Sequence, residues 1–237
     1  MDYLAGVQAL HREAKLPGAA PDAVTGQTGR AADLVAWYAQ AWNDIQIERD
    51  GHWKWLRRAF TVNTVADDQD YAFGAVTDVA TAVAITRFRS WYLDPNEPPL
   101  IYLVSDGQAT EHELVIQRWD EYRFNYRRAT HTAAPPVHVT EDPAGVLFLG
   151  PKPDGIYTVT GNYWASNQVL AADDDTPEMP ADYHMTIVYR ALVKYGYNAV
   201  AREVLSRAGL ELPAMYDALV LNQAWSRFSL TTAGPLA

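Results

Sequence analysis

Hydrophobic residues between positions 24 and 58 recur every three or four residues, which predicts an amphipathic helix. Gly51 is well placed to end this helix, because glycine adopts a left-handed cap at little cost. A shorter helix is predicted for residues 3–15, with Pro17 and Gly18 as its stop signal. The apolar face of the longer helix is unusually aromatic and comprises Leu34, Trp37, Tyr38, Ala41, Trp42 and Ile45.

The period changes near residue 57, where apolar and polar residues alternate as they do along a β-strand. This alternation predicts a first strand through Phe60, Val62 and Thr64. Further strands are predicted near Tyr71 and Phe73 and at residues 82–89, 100–104, 137–140, 146–149 and 157–163. The runs at 137–140 and 146–149 form a hairpin around the turn at residues 142–145. Helical spacing returns within this region at Val115, Trp119, Tyr122 and Tyr126, which predicts a helix over residues 113–127.

The C-terminal third is predicted to be helical again. One helix is expected over residues 181–197, with a kink at Gly196 and continuation to a cap at Gly209. Pro213 is placed as a first-turn residue of a last helix that runs to about Trp225. The order of elements predicts an α+β fold in which terminal helices pack as a bundle and a mainly antiparallel β region carries one inserted helix. The predicted parts are a helical body of residues 1–56 and 177–225, a β-rich insertion of residues 57–170, and an extended arm of residues 226–237.

Composition narrows the possible functions. The formal net charge is -10, whereas a protein that binds duplex DNA tightly usually carries a surplus of Lys and Arg. The chain contains no cysteine, which excludes disulfides, thiolate zinc sites and thiol nucleophiles. The first residues lack the pattern of a signal peptide, and no apolar run is long enough to span a membrane.

Candidate chemistry is sparse. The sequence of residues 24–30, VTGQTGR, resembles a phosphate loop, but it lacks the Lys-Ser/Thr ending, so a turn capped by Thr28 is favoured. The aspartates of residues 173–175 do not have the spacing of a calcium loop, and a solvated acidic turn is favoured. The six histidines lack zinc-site spacing and no GxSxG motif is present. We therefore predict no catalytic residues, no metal and no cofactor.

One basic surface is predicted on the inserted helix, from Arg118, Arg123, Arg127 and Arg128, with Tyr122 and Tyr126 between them. Arginine and aromatic residues in this arrangement can contact nucleic acid. The alternative is a solvated helix face that forms salt bridges, which the neighbouring acidic residues favour.

Four stretches together resemble one family, the head-to-tail adaptor proteins of tailed bacteriophages, also called neck or head-completion proteins. They occur in the family's order and comprise residues 24–29 with 34–46, residues 52–56, residues 147–163, and residues 175–192. In sequence they begin VTGQTG, HWKWL, LFLG and DTPEMP. Each motif is weak alone, whereas the ordered combination is specific. Residues 67–101 and the C-terminal tail depart from the family pattern.

The resemblance implies a structural virion protein and not an enzyme. Such proteins form a ring, expected to be a dodecamer, beneath the portal, where they extend the DNA channel and receive a tail or nozzle protein. DNA would pass through without sequence-specific binding, and the protein would be made in the bacterial host cytoplasm. The residues expected to contact the portal or a neighbouring subunit are Trp225, Phe228, Leu230 and Leu236.

A different function remains open from the residues themselves. Aromatic residues of the β region could stack on sugars, which would make the chain a glycan-binding or glycan-cleaving module. The platform would consist of Trp91, Tyr92 and Tyr102.

Overall fold

A computed structural model describes residues 1–128 and 131–224, and its fold is α+β, as predicted. The α-helices of this described part are α1 (Tyr3–Glu13), α2 (Gly29–Ile47), α3 (Trp119–Tyr122), α4 (His184–Asn198) and α5 (Arg202–Gln223). Its strands are β1 (Arg57–Asn63), β2 (Asp70–Tyr71), β3 (Thr77–Asp78), β4 (Val83–Ala84), β5 (Ser90–Tyr92), β6 (Leu100–Leu103), β7 (His112–Glu113), β8 (Val115–Ile116), β9 (His138–Glu141), β10 (Leu147–Gly150) and β11 (Tyr157–Trp164). The chain divides into two compact units, Met1–Ile47 with Gln168–Ala237, and Glu48–Asn167.

The helical unit has the aromatic face of α2 at its centre. Helix α2 packs against α1 and α4, and α5 packs against α4. Five of the six residues predicted for the apolar face of α2 are buried, and the sixth, Trp37, lies edge-on to Tyr195 with ring centroids 5.9 Å apart. Gln46 closes the end of α2, because its side chain exchanges two hydrogen bonds with the backbone of Gln168. This helix therefore anchors the core of its unit.

Three predicted helix boundaries in this unit were wrong. Helix α2 ends at Ile47, four residues before Gly51, and a short 3-10 segment follows in which Arg49 and Asp50 both have positive φ. Gly196 does not kink α4; it lies where Leu205 packs closely, and a Cβ at Gly196 would lie 2.6 Å from Leu205 Cγ. A larger residue at Gly196 would force Leu205 to move, and the break in the helix comes after Gly196, between the end of α4 at Asn198 and the start of α5 at Arg202.

Helix α5 is the third exception, because it continues through Gly209 and Pro213 instead of ending and restarting there. A proline inside a helix leaves the carbonyl four residues earlier without its N–H partner. In α5 that carbonyl belongs to Gly209, and both Gly209 and Pro213 are exposed, so water can satisfy it. The result is one helix of 22 residues.

The β unit contains two sheets that share one hydrophobic core. The larger sheet has the order β4-β3-β1-β11-β6-β7, with β5 also paired to β11, and the smaller has the order β2-β10-β9-β8. All pairs are antiparallel except β8 with β9. The shared core includes Phe60 and Val159 from the larger sheet and Leu147 and Leu149 from the smaller. Strands β1, β6 and β11 and the β9–β10 hairpin lie where the sequence predicted them.

Elsewhere in this unit the predicted elements were too long. Of residues 82–89 only Val83–Ala84 form a strand, and Phe73 lies in a 3-10 turn while β2 pairs with β10 instead of returning along β1. The predicted helix over residues 113–127 begins only at Trp119, because residues 112–116 supply the short strands β7 and β8. In this strand segment Leu114 is buried and Val115 is exposed, which is strand alternation and not a helix face.

Candidate interaction surfaces

The predicted basic surface lies on a segment that aromatic side chains fasten to the smaller sheet. Helix α3 continues into a π-helical turn, Arg123–Arg127. The Tyr122 hydroxyl donates to the carbonyl of Leu149 at 2.7 Å, and the ring of Trp119 lies 5.0 Å from that of Phe148. The Tyr126 hydroxyl lies 2.8 Å from His138 Nδ1. Burial raises the pKa of Tyr122 and of Tyr126, so both hydroxyls stay protonated at neutral pH.

Because the aromatic residues point to the sheet, the arginines point outward, and all four predicted side chains are exposed. Arg123, Arg127 and Arg128 line a shallow depression of about 280 Å³, whereas Arg118 precedes α3 and does not line it. The Arg128 guanidinium lies 5.1 Å from the ring centroid of Phe124, which is itself exposed. This surface offers charged donors and an aromatic face to a polyanion.

Nearby carboxylates lower the affinity of this basic surface for a polyanion. Arg123 forms a long ion pair of 3.9 Å with Asp120, and both side chains are largely exposed, so the pair contributes little stability. Arg127 also lines a second depression with Lys152, whose other side is formed by Asp67, Asp68 and Asp70. A phosphate chain would therefore meet attraction and repulsion within a short distance, which favours weak contact over tight binding.

The structure does not form the aromatic sugar platform. Trp91 is only 4% exposed, and its indole N–H donates to the carbonyl of Gly145. Trp91 and Tyr92 are neighbours along β5, so they face opposite sides of the sheet. Tyr92 and Tyr102 pair with Asn162 and Thr158 on β11, four residues or about 13 Å apart along the strand. The ring of Tyr92 is already covered by the Arg57 guanidinium, at 4.0 Å.

The two loops that resembled ligand sites are tied to each other. The backbone N–H of Val24 donates to the carboxylate of Asp173 at 2.6 Å. The carbonyls of Asp173 and Asp175 accept from the first amides of α1, and the Asp175 carboxylate accepts from the backbone of Ala171 and Ala172. These bonds hold the pKa of Asp175 below its ordinary value. The acidic loop is therefore an exposed turn that also connects α1 to the loop before α2.

Within residues 1–128 and 131–224, no group of three or more His, Asp or Glu side chains has the arrangement of a metal site. No described helix combines the length and hydropathy required to cross a membrane. The residues predicted to contact the portal or a neighbour, Trp225, Phe228, Leu230 and Leu236, lie outside the described residues.

Comparison with known proteins identifies the family. A protein-family model described as SU10 adaptor protein matches residues 3–232. No curated protein matches the chain. The match covers nearly the whole sequence, including both terminal helical segments and the β unit between them. The chain belongs to the SU10 adaptor protein family.

This family consists of phage head-to-tail adaptors, so the resemblance seen in the sequence motifs is confirmed. The SU10 adaptor family is a family of structural phage proteins.

Two surfaces of this adaptor were missed by the sequence prediction. One is a long face of α5, which was missed because Gly209 and Pro213 were interpreted as a break. The other is a pocket beside the loop that joins α1 to α2. The sequence contained a signal for the face of α5, because helical spacing continues across Pro213 through Leu210, Ala214, Ala218 and Leu221.

One partly buried carboxyl of the adaptor makes its stability depend on pH. The pKa of Glu141 is raised from 4.5 to about 7, mainly because of burial, with a backbone hydrogen bond from Trp91 acting against the shift and the nearby Asp142 adding to it. Between these values the folded chain holds a proton that the unfolded chain has released, so stability falls as the pH rises from 4.5 to 7. Because the group is only partly buried, we expect the loss to be about 1–2 kcal/mol.

Glu141→Gln should therefore unfold at higher urea concentration than the wild type near neutral pH and at about the same concentration near pH 4.5. Urea titrations across this range check the prediction, with Glu121→Gln as the control because Glu121 is exposed. A constant difference between Glu141→Gln and the wild type at all pH values would contradict it.

Proposed function

We propose that this chain assembles as a ring, a dodecamer, beneath the portal of a DNA-filled phage head and joins the head to the tail. The ring extends the DNA channel and presents a docking surface to a tail or nozzle protein. Its partners are the portal protein, identical subunits, and the tail protein. The observation that carries the proposal is the family match over residues 3–232, which spans almost the whole chain.

The charge of the chain supports a passive role toward DNA. A net charge of -10 on each subunit repels the phosphate backbone at long range, and a dodecamer multiplies that charge. The basic surface on residues 118–128 is bordered by aspartates, which limits its affinity. We propose that this surface lies near the DNA path and that DNA slides past it without sequence-specific binding.

The C-terminal arm supplies the contact with the portal in this proposal. Residues 226–237 carry Phe228, Leu230 and Leu236, which could bury apolar area on a partner. We propose that this contact with the portal, and not a contribution to the fold, is the role of the arm.

The test is a truncated protein that lacks residues 226–237, mixed with DNA-filled heads that carry the portal but no adaptor. We expect the circular dichroism spectrum and thermal unfolding of the truncated protein to match the full chain. We expect its attachment to heads, measured by co-sedimentation, to weaken at least about tenfold. Electron microscopy of heads with the full-length protein should show a ring at the portal vertex.

A triple variant, Phe228→Ser, Leu230→Ser and Leu236→Ser, keeps the full length and tests the apolar side chains themselves. Attachment that is unchanged in both altered proteins would refute the role of the arm. Full-length protein that leaves the portal vertex bare would refute the adaptor function as proposed.

A further inference from the structure

Helix α5 carries an apolar face that no other described element covers. Leu210 and Leu221 are 79% and 75% exposed. Ala214 and Ala218 lie between them at helical spacing and are also exposed, so the four residues form one face that begins about two turns after the N-terminal end of α5. We name this the α5 face. An exposed leucine alone is ordinary, but two exposed leucines joined by exposed alanines along one helix face indicate a binding surface.

The same helical unit has an apolar pocket of about 420 Å³ beside the α1–α2 loop. Its lining comprises His11, Leu16, Pro17, Ala19, Pro21, Arg30, Ala31 and Leu34. This volume falls in the range of pockets that hold side chains or small ligands, roughly 300–1,000 Å³. Only His11 and Arg30 supply side-chain polar groups to it, which fits aliphatic side chains better than a polar small molecule.

The two surfaces carry opposite charge. Between residues 208 and 224 the only charged residues are Glu211 and Asp217, both exposed, and Asp217 lies on the α5 face itself. The pocket is lined by Arg30 and by no acidic residue. Complementary charges at the edge of an apolar contact select the partner and its orientation.

We propose that the α5 face of one copy of this chain docks into the α1–α2 pocket of the next copy. Leu210 or Leu221 enters the pocket while the rest of the α5 face lies against its apolar rim, and Asp217 meets Arg30. The two surfaces differ, so the contact is head-to-tail and repeats until the rotation closes into a ring. Closure into a ring rests on the proposed function, whereas the contact between two copies can be tested without it.

The absence of cysteine in the chain makes the contact directly testable. Single variants Leu210→Cys and Ala19→Cys are prepared in the full chain, mixed at high concentration and oxidised. We expect the mixture to yield a disulfide-linked dimer containing one of each variant, and each variant alone to remain mostly uncross-linked. The double variant should yield a ladder of multimers. Gln40→Cys, exposed on α2 but not in the pocket, replaces Ala19→Cys as the matched control and should cross-link at least about tenfold less.

Four other outcomes would overturn the contact between the α5 face and the pocket. Dimers from Leu210→Cys alone would indicate that two α5 faces pair symmetrically, and equal cross-linking of Gln40→Cys would indicate random collision. Cross-linking of Ala19→Cys to Phe228→Cys but not to Leu210→Cys would assign the pocket to residues 225–237. If a ring forms on heads but positions 19 and 210 do not cross-link, this contact is refuted and the adaptor function is not. If multimers cross-link through these positions but the protein does not bind to heads, the adaptor function is refuted and the contact is supported.

Discussion

Replacing Gly6 by alanine is expected to destabilise the helical unit by about 2 kcal/mol, although alanine is the better helix former. Gly6 lies inside α1, directly beneath the ring of Tyr38 from α2. A Cβ at this position would lie 2.5 Å from Tyr38 Cε2, far inside van der Waals contact, and would also overlap the hydroxyl end of the ring. The helix can accommodate the methyl group only if the two helices separate or the ring moves.

Movement of the ring is costly because Tyr38 is fully buried and stacks on Tyr3, with ring centroids 5.5 Å apart. Overpacking of a core typically costs about 1–3 kcal/mol, and occasionally more. The gain in helix propensity from alanine offsets only about 1 kcal/mol. The upper end of the overpacking range, about 3 kcal/mol, minus this gain leaves a net loss of about 2 kcal/mol.

Gly209 provides a matched control on α5, because a Cβ there meets no atom within 4 Å. Gly209→Ala should stabilise the protein by about 0.5–1 kcal/mol. The same glycine-to-alanine change is therefore expected to raise the free energy of unfolding at position 209 and to lower it at position 6. Urea unfolding followed by far-UV circular dichroism measures both. In a Tyr38→Leu background the cost of Gly6→Ala should shrink, and a cost that does not depend on Tyr38 would contradict this explanation.

Alternation along a strand was the most reliable signal in the sequence. It located β1 because Phe60 and Val62 face the shared core while Thr61 and Asn63 face the other side. Gly161 interrupts the apolar pattern of β11 for a physical reason. It faces Phe60 in register, and a Cβ there would lie 2.8 Å from the Phe60 ring.

Short elements could not be predicted because their ends depend on distant partners. Strand β3 is only two residues long, which is too short for a periodic pattern of apolar residues. The turn that follows it is held by the Asp78 carboxylate, which accepts hydrogen bonds from the backbone of Ala80 and Thr81. The helix predicted over residues 113–127 was wrong for a different reason. Val115 and Trp119 share helical spacing by coincidence, but Val115 belongs to a strand that pairs with β9.

For the candidate surfaces, residue type was predictable and spatial arrangement was not. The sequence identified the arginines of residues 118–128, and the structure places all of them at the surface. The sequence could not show that Asp67, Asp68 and Asp70 lie opposite Arg127, since about sixty residues separate them. The sugar platform failed because strand alternation separates Trp91 from Tyr92, which a list of aromatic residues does not reveal.

Asp78→Ala is expected to cost about 3–5 kcal/mol in the β unit, which is the largest effect among these predictions. Asp78 is 2% exposed, and both of its oxygens are used. One accepts from the backbone amides of Ala80 and Thr81, and the other from Arg58 and the Tyr163 hydroxyl. Alanine would leave these donors without their acceptor in a site that water reaches poorly.

Burial alone would raise the pKa of Asp78, but its hydroxyl, amide and guanidinium donors outweigh burial and hold the pKa below its ordinary value of 3.8. A carboxyl with a lowered folded pKa stabilises the fold above the unfolded value and loses that contribution as the pH falls below it. The difference in unfolding free energy between the wild type and Asp78→Ala should therefore be constant at neutral pH and should shrink below pH 3.8.

Tyr163→Phe is the control for Asp78→Ala, because it removes one donor and leaves the carboxylate with the other three. We expect Tyr163→Phe to cost about 1 kcal/mol, the ordinary net value of one hydrogen bond. Thermal and urea unfolding followed by tryptophan fluorescence compare the two variants, since Trp91 lies in the same core as Tyr163. Equal losses from the two substitutions would show that Asp78 acts only through Tyr163, and that the turn of residues 78–82 holds its shape without the carboxylate.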